Sequence, residues 1–255
     1  MKSRQDVINS HVELFKQCPM MNPVITSITA QLISCSDEKT RSSSQRFFKE
    51  TIQCHGVKTA VIERIGKEYY KSLKDPAKAM IFDLCDELWK TGYLEEAGIA
   101  CYWSYYQRKA YQPDDFRRFE KWVDQYVTNW ATCDAFCNHS AGTFVEMYPE
   151  YLSELKRWAK SQNRWMKRAS AVSLIVPARK GKFLPDILEI ADILLQDKDD
   201  MVQKGYGWML KAASQANQQA IFEYVISKKA VMPRTALRYA IEKMPKDLRE
   251  QAMAK

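Results

Sequence analysis

From end to end the chain alternates helical runs with short breaks, and no stretch alternates apolar and polar residues with period two for long enough to need a strand. The breaks carry helix-start chemistry. Asn22-Pro23, Asp75-Pro76 and Pro113-Asp114 each place a capping residue or a first-turn proline before an apolar run. Asn163, Asp199-Asp200 and Asn217 stand where side-chain caps belong, and Pro149, Pro233 and Pro245 introduce further helices. Gly92 sits where a helix C-terminus wants a left-handed residue. The reading predicts a polar linker over 34–44, helical periodicity over 46–53 and a break at Cys54-His55-Gly56. It also predicts helices over Leu94–Tyr106, over 164–176 with Pro177 as the stop, and over 184–195. Eight glycines in 255 residues, where an average chain would have about 18, argue further against a sandwich or barrel.

A dozen or so short helices can form a compact bundle or an α-solenoid, and 46% apolar residues suffice for a core in either. Spacing favours the solenoid. Trp130 to Arg168 is 38 residues and Arg168 to Trp208 is 40, close to the ~40–47-residue period of HEAT-type repeats. Residues one period apart take equivalent places on successive repeats, so all three could face one concave surface. The expected fold is all-α, antiparallel helix pairs in a HEAT-like solenoid, as a single domain over 1–255 with a helical extension over 1–40. No stretch reaches the roughly 18 apolar residues of a membrane span, and no apolar run follows the charged N-terminus as a secretory signal requires. Seven cysteines, an odd number, make no disulfide framework, which predicts a reduced, cytoplasmic protein.

Net charge is +8, from 39 basic and 31 acidic residues. Within it one segment is strongly one-sided. Lys156, Arg157, Lys160, Arg164, Lys167 and Arg168 fall in 13 residues without an acid, interleaved with Trp158 and Trp165, and Arg179, Lys180 and Lys182 follow. Such a run suits a phosphate backbone. It also suits two helices with solvated basic faces and core tryptophans.

Residues 129–139 (Asn-Trp-Ala-Thr-Cys-Asp-Ala-Phe-Cys-Asn-His) hold the other candidate chemistry. If a helix has begun by Trp130, Asp134 lies on the same side, four residues on. If Thr132 is the cap instead, Asp134 is a helix-start acid favoured by the dipole. Cys133, Cys137 and His139 cluster, but Cys-x-x-x-Cys without a second pair is poor metal-ligand spacing, and the cysteines read better as small apolar residues against a neighbouring helix. There is no P-loop, no nucleophile elbow and no dinucleotide fingerprint. His11, His55 and His139 stand in unrelated contexts.

Three segments resemble, in order, the signatures of the AlkD-like DNA alkylation repair family of HEAT-like alkylpurine DNA glycosylases. They are Asn129-Trp130 to Asp134, then Asn163-Arg164-Trp165-Met166-Lys167-Arg168-Ala169, then Lys204-Gly205-Tyr206-Gly207-Trp208-Met209-Leu210. Phe47-Phe48-Lys49-Glu50 with Gly56-Val57-Lys58-Thr59 is similar to the family's first hairpin. The resemblance implies a solenoid holding duplex DNA in a basic concave face and hydrolysis of the N-glycosidic bond of cationic N3- or N7-alkylpurines. It assigns Asp134 as the catalytic carboxylate, Trp130 and Trp208 as tryptophans against the lesion's sugar, and Arg168 as a phosphate contact. Arg164, Lys167 and Lys211 join the DNA-binding set. The expectations taken together are no cofactor, no metal, no membrane, a monomer, and a cytoplasmic place on the nucleoid. Asn129 stands where members often carry another tryptophan, and Lys211 where an arginine is usual, keeping the charge without the planar fork. A non-excising DNA-binding relative of the same scaffold, and a HEAT-like protein–protein scaffold, are the alternative readings.

Overall fold

The computed structural model describes residues 22–254, so most of the expected extension, 1–21, lies outside the described residues. The described residues are all-helical and include no strand; an isolated bridge pairs Gln53 with Tyr93. They cluster into two compact units, one ending at Ala110 and the other starting at Tyr111.

In the first unit α1 (Pro23–Ser34) starts where expected: the Asn22 side chain accepts from Val24 N at 2.9 Å. Ile25, Ile28 and Leu32 are its buried stripe. The next stretch departs from the sequence reading. The expected linker over 34–44 is largely a helix, α2 (Glu38–Phe47), and the expected helical run over 46–53 is irregular. Asp37 drives the first change, its carboxylate accepting from the Thr40 amide at 2.8 Å and hydroxyl at 2.7 Å. With no residue of α2 buried, a serine-rich surface helix leaves no apolar periodicity to read. Tertiary bonds drive the second. Glu95 accepts from the amides of His55, Gly56 and Val57 at 2.9–3.1 Å, and Gln53 accepts from Leu94 N at 2.9 Å, which holds this segment extended. Gly56 takes φ +86°, where a Cβ would meet Asp37 O at 2.6 Å.

The unit continues with α3 (Thr59–Ser72), α4 (Lys78–Lys90) and α5 (Leu94–Tyr106). Gly92, at φ +74°, follows α4 in the expected left-handed position. Ile81, Leu84 and Leu88 are core, whereas Met80 points outward, 44% exposed.

The second unit opens with α6 (Asp115–Tyr126), α7 (Trp130–Phe136), a wide π-type turn (Cys137–Ala141) and α8 (Gly142–Met147). It continues with α9 (Leu152–Ala159), α10 (Arg164–Val172), α11 (Ile175–Arg179) and α12 (Leu184–Leu194). It closes with α13 (Asp200–Ala213), α14 (Gln218–Lys228), α15 (Arg234–Ile241) and α16 (Lys246–Met253). The helix expected over 164–176 breaks earlier, at Ser173-Leu174, and Pro177 lies inside α11 rather than stopping a helix. A proline in a first helical turn forfeits no hydrogen bond, so it is tolerated there. At the break two segments of backbone pass so closely that a Cβ on Gly142 would lie 2.7 Å from Ser173 O.

Contacts in this unit run in two rows. Helices α7, α10, α13 and α15 touch in succession, while α9 touches α12 in a second row; α9–α10 and α12–α13 pair across the rows. Pairs stacked so that each contacts its neighbours are the arrangement of an α-solenoid. An aromatic core ties α6 to α7, α8 and α9: Phe116 stacks on Trp158 at 5.2 Å, and Phe119 meets Phe136 edge-on at 5.3 Å and Phe144 at 5.7 Å.

Candidate active site on successive helices of one row

Trp130, Arg168 and Trp208, one repeat apart in sequence, fall on α7, α10 and α13, successive members of one row. Caps set the phase of each helix. Asn129 Oδ1 accepts from Thr132 N at 3.0 Å, which makes Trp130 the first residue of α7. Thr132 is therefore not the cap; its hydroxyl bonds back to Asn129 O at 3.3 Å. Asp134 is not a helix-start acid but lies one turn past Trp130 on the same side. Asn163 caps α10 through Trp165 N at 2.9 Å, and Asp199 caps α13 through Met201 N and Val202 N at 2.8 and 3.2 Å.

The helices meet at a clamp. Arg168 donates from Nε to Asp134 Oδ1 and from Nη2 to Oδ2, both at 2.8 Å, and from Nη1 to Met201 O at 2.5 Å. The planar fork matches the carboxylate as only arginine can. The residue is 5% exposed, and the Asp134 side chain 13%. Arg168 runs against α13 because residue 205 is glycine: a Cβ there would lie 3.2 Å from Arg168 Cγ. Trp208 shares the α13 face of Met201 and Gly205, being seven and three residues on, and both Trp130 and Trp208 are half-buried. Burial raises the Asp134 carboxyl above its ordinary 3.8, against the opposing pull of Arg168, which cannot itself lose its proton. The resemblance makes Arg168 a phosphate contact; in the structure its guanidinium is committed to Asp134 and to α13.

Most of the basic run turns out to be paired. Lys167 Nζ lies 2.7 Å from Asp197, and Arg164 Nε 3.0 Å from Asp199, with its guanidinium over Trp165 at 4.9 Å. Lys156 holds Asp186 and Glu189 at 2.9 and 2.6 Å, and Arg157 pairs with Glu120 and Glu154. Lys180 and Lys182 share Glu146, and Lys211 reaches Glu242 at 2.9 Å. Trp158 and Trp165, the interleaved aromatics, are core. Sequence reasoning missed Asp197, Gly205 and the Met201 carbonyl, and saw Asp199 only as a cap. Gly205 lies within the third of the segments that resemble the family.

Cys133 and Cys137 are fully buried, and desolvation, then the neighbouring Cys137, pushes the Cys133 thiol well up. His139 is exposed. No group of three or more histidine, cysteine or acidic side chains suited to a metal ion occurs among the described residues.

The sequence profile of the family described as DNA alkylation repair enzyme matches residues 28–244. The chain belongs to the DNA alkylation repair enzyme family. A solved structure described as a predicted DNA alkylation repair enzyme from Enterococcus faecalis is similar at a TM-score of 0.74 and 16% identity, over 83% of this chain and 97% of that one. At that identity the likeness shows the fold, and the solenoid reading agrees with it. The curated proteins contain no match. Membership places this chain in the repair of alkylated DNA. No helix among the described residues is long and apolar enough to cross a membrane.

Proposed function

We propose that this family member is a DNA glycosylase that hydrolyses the N-glycosidic bond of cationic N3- and N7-alkylpurines in duplex DNA. The observation that carries the reading is Asp134: a carboxylate fixed by a two-pronged arginine, one turn from a half-exposed indole and close to the α13 face that bears another.

A purine alkylated at N3 or N7 is already positive, so it departs with the electron pair of the C1′–N bond and needs no proton. That fits a site without an acid–base pair. The sugar left behind has oxocarbenium character. A preorganised carboxylate stabilises that charge and orients the water that attacks C1′. The electron-rich faces of Trp130 and Trp208 favour the same cation. Arg168 is then a positioning residue: its bonds to Asp134 fix the direction of the carboxylate, and its bond to Met201 O ties that direction to α13.

Incubation with methylated duplex DNA, followed by chromatography of the released bases, tests this. Free 7-methylguanine or 3-methyladenine is the expected product. Tight binding of the duplex without release would make the protein a non-excising member, and no interaction with DNA at all would leave the protein–protein scaffold.

A further inference from the structure

The basic face of α10 is covered by carboxylates that the chain itself holds in place. Arg164, Lys167 and Arg168 lie within about 100° of one another around the helix, and each has a carboxylate partner: Asp199, Asp197 and Asp134. The Asp134 pair belongs to the site already described. The other two pairs sit at the entrance of α13 and are more open, with Lys167 and Arg164 side chains 24% and 39% exposed.

Neither aspartate is a mobile counter-ion. Asp197 Oδ1 accepts from Asp199 N at 2.8 Å while Oδ2 takes Lys167, and its carbonyl accepts from Gln203 Nε2 at 2.8 Å. Asp199 Oδ1 caps α13 through two amides while the same carboxylate takes Arg164. Their own turn bonds keep both charges where they are, whatever the cations do. A DNA phosphate approaching Lys167 or Arg164 therefore meets a cation already neutralised and a fixed negative charge about one ion-pair distance behind it.

We infer that Asp197 and Asp199 restrain binding to ordinary duplex backbone by competing with phosphate for Lys167 and Arg164. Resting on the repair reading above, this makes the two aspartates determinants of specificity. They lower the sequence-independent electrostatic affinity, which every stretch of duplex offers equally, and leave the contacts made only at a lesion untouched. A searching enzyme is then not sequestered on undamaged DNA despite a net charge of +8.

The test is a salt titration of duplex affinity, using an undamaged oligonucleotide and the full chain, for wild type, Asp197→Asn, Asp199→Asn and Lys167→Gln. Asparagine caps a helix as well as aspartate does, so Asp199→Asn keeps the start of α13. Removing one restraint should tighten binding to undamaged duplex about two- to fivefold, the scale of one part-exposed ion pair. It should also steepen the slope of log affinity against log salt by about 0.9, one more phosphate neutralised. The combination of Lys167→Gln with Asp197→Asn should abolish that gain, whereas a general effect of lost negative charge would survive it. Unchanged or weaker binding in Asp197→Asn and Asp199→Asn, with both folded by circular dichroism, would overturn the inference. A wild type that binds no duplex at any salt would instead remove the repair reading on which it rests.

Discussion

A carboxylate that is 13% exposed beside a buried guanidinium can be stripped of charge at nearly constant volume, at the cost of one of its two bonds from Arg168, which makes Asp134→Asn the most direct probe of the proposed chemistry. Losing one preorganised contact to a developing charge typically costs about 100- to 1,000-fold in rate, or about 3–4 kcal/mol. Base release should fall by that factor while affinity for lesion-containing duplex persists. Equal loss of both would assign Asp134 to folding or binding instead. The same residue sets a pH limb. Burial raises its carboxyl above 3.8, with Arg168 opposing. The protonated form offers no charge to the sugar, so the activity is present above the raised value and lost as pH falls through it. Once spontaneous depurination is subtracted, the acid limb of excision should lie above 3.8. Arg168→Met, which removes the opposing pull, should move it higher still. A limb at or below 3.8, unmoved in Arg168→Met, would contradict this. At this scale the sequence was partly legible: it singled out Asp134, Trp130, Arg168 and Trp208, but not the direction of the Arg168 fork. That direction depends on Met201 O and on space above Gly205, and neither leaves a mark in the local sequence of α10.

Three helices of the row, α7, α10 and α13, start at side-chain caps, and a cap is a local, legible device. Asn129→Ala should cost about 1 kcal/mol of stability by leaving the Thr132 amide unpaired. It should also loosen the first turn, which carries Trp130, so thermal unfolding should show the loss and excision should fall with it. A variant as stable and active as wild type would show that packing alone sets the phase of α7. Gly205 separates propensity from position more sharply. Alanine in mid-helix gains about 1 kcal/mol over glycine. Here its Cβ would press on Arg168 Cγ at 3.2 Å, and Arg168 is pinned at the far end by three bonds. Gly205→Ala should therefore fall short of that gain in thermal stability and excise on the order of tenfold more slowly, since small misplacements of catalytic groups are costly. Unaltered excision would release Gly205 from a positioning role. Caps at Asn22, Asn163 and Asp199 were readable because they act within three residues. The stretch over 34–53 was not, because α2 has no buried face to give it a period and the segment after it is held by Glu95, some 40 residues away.

Across the whole molecule the excess of eight positive charges still favours a polyanion, but pairing decides how much of it is available. Six unencumbered phosphate contacts would give a slope of log affinity against log salt of about −5. With Lys156, Arg157, Arg164 and Lys167 all holding carboxylates, wild-type affinity for duplex should still fall with salt, on a shallower slope than that. A salt-independent affinity would exclude backbone binding altogether. Sequence by itself determined the helical class and the repeat spacing near 40 residues, because period, capping and glycine scarcity are properties of a few neighbouring positions. Only the tertiary structure decided which charges neutralise one another. Arg168, Lys167 and Arg164 find their partners 34, 30 and 35 residues away, on the adjoining repeats. An acid-free run of thirteen residues therefore says nothing about the acids that stacked helices bring against it, and Coulomb interaction depends on that distance in space, not on separation along the chain.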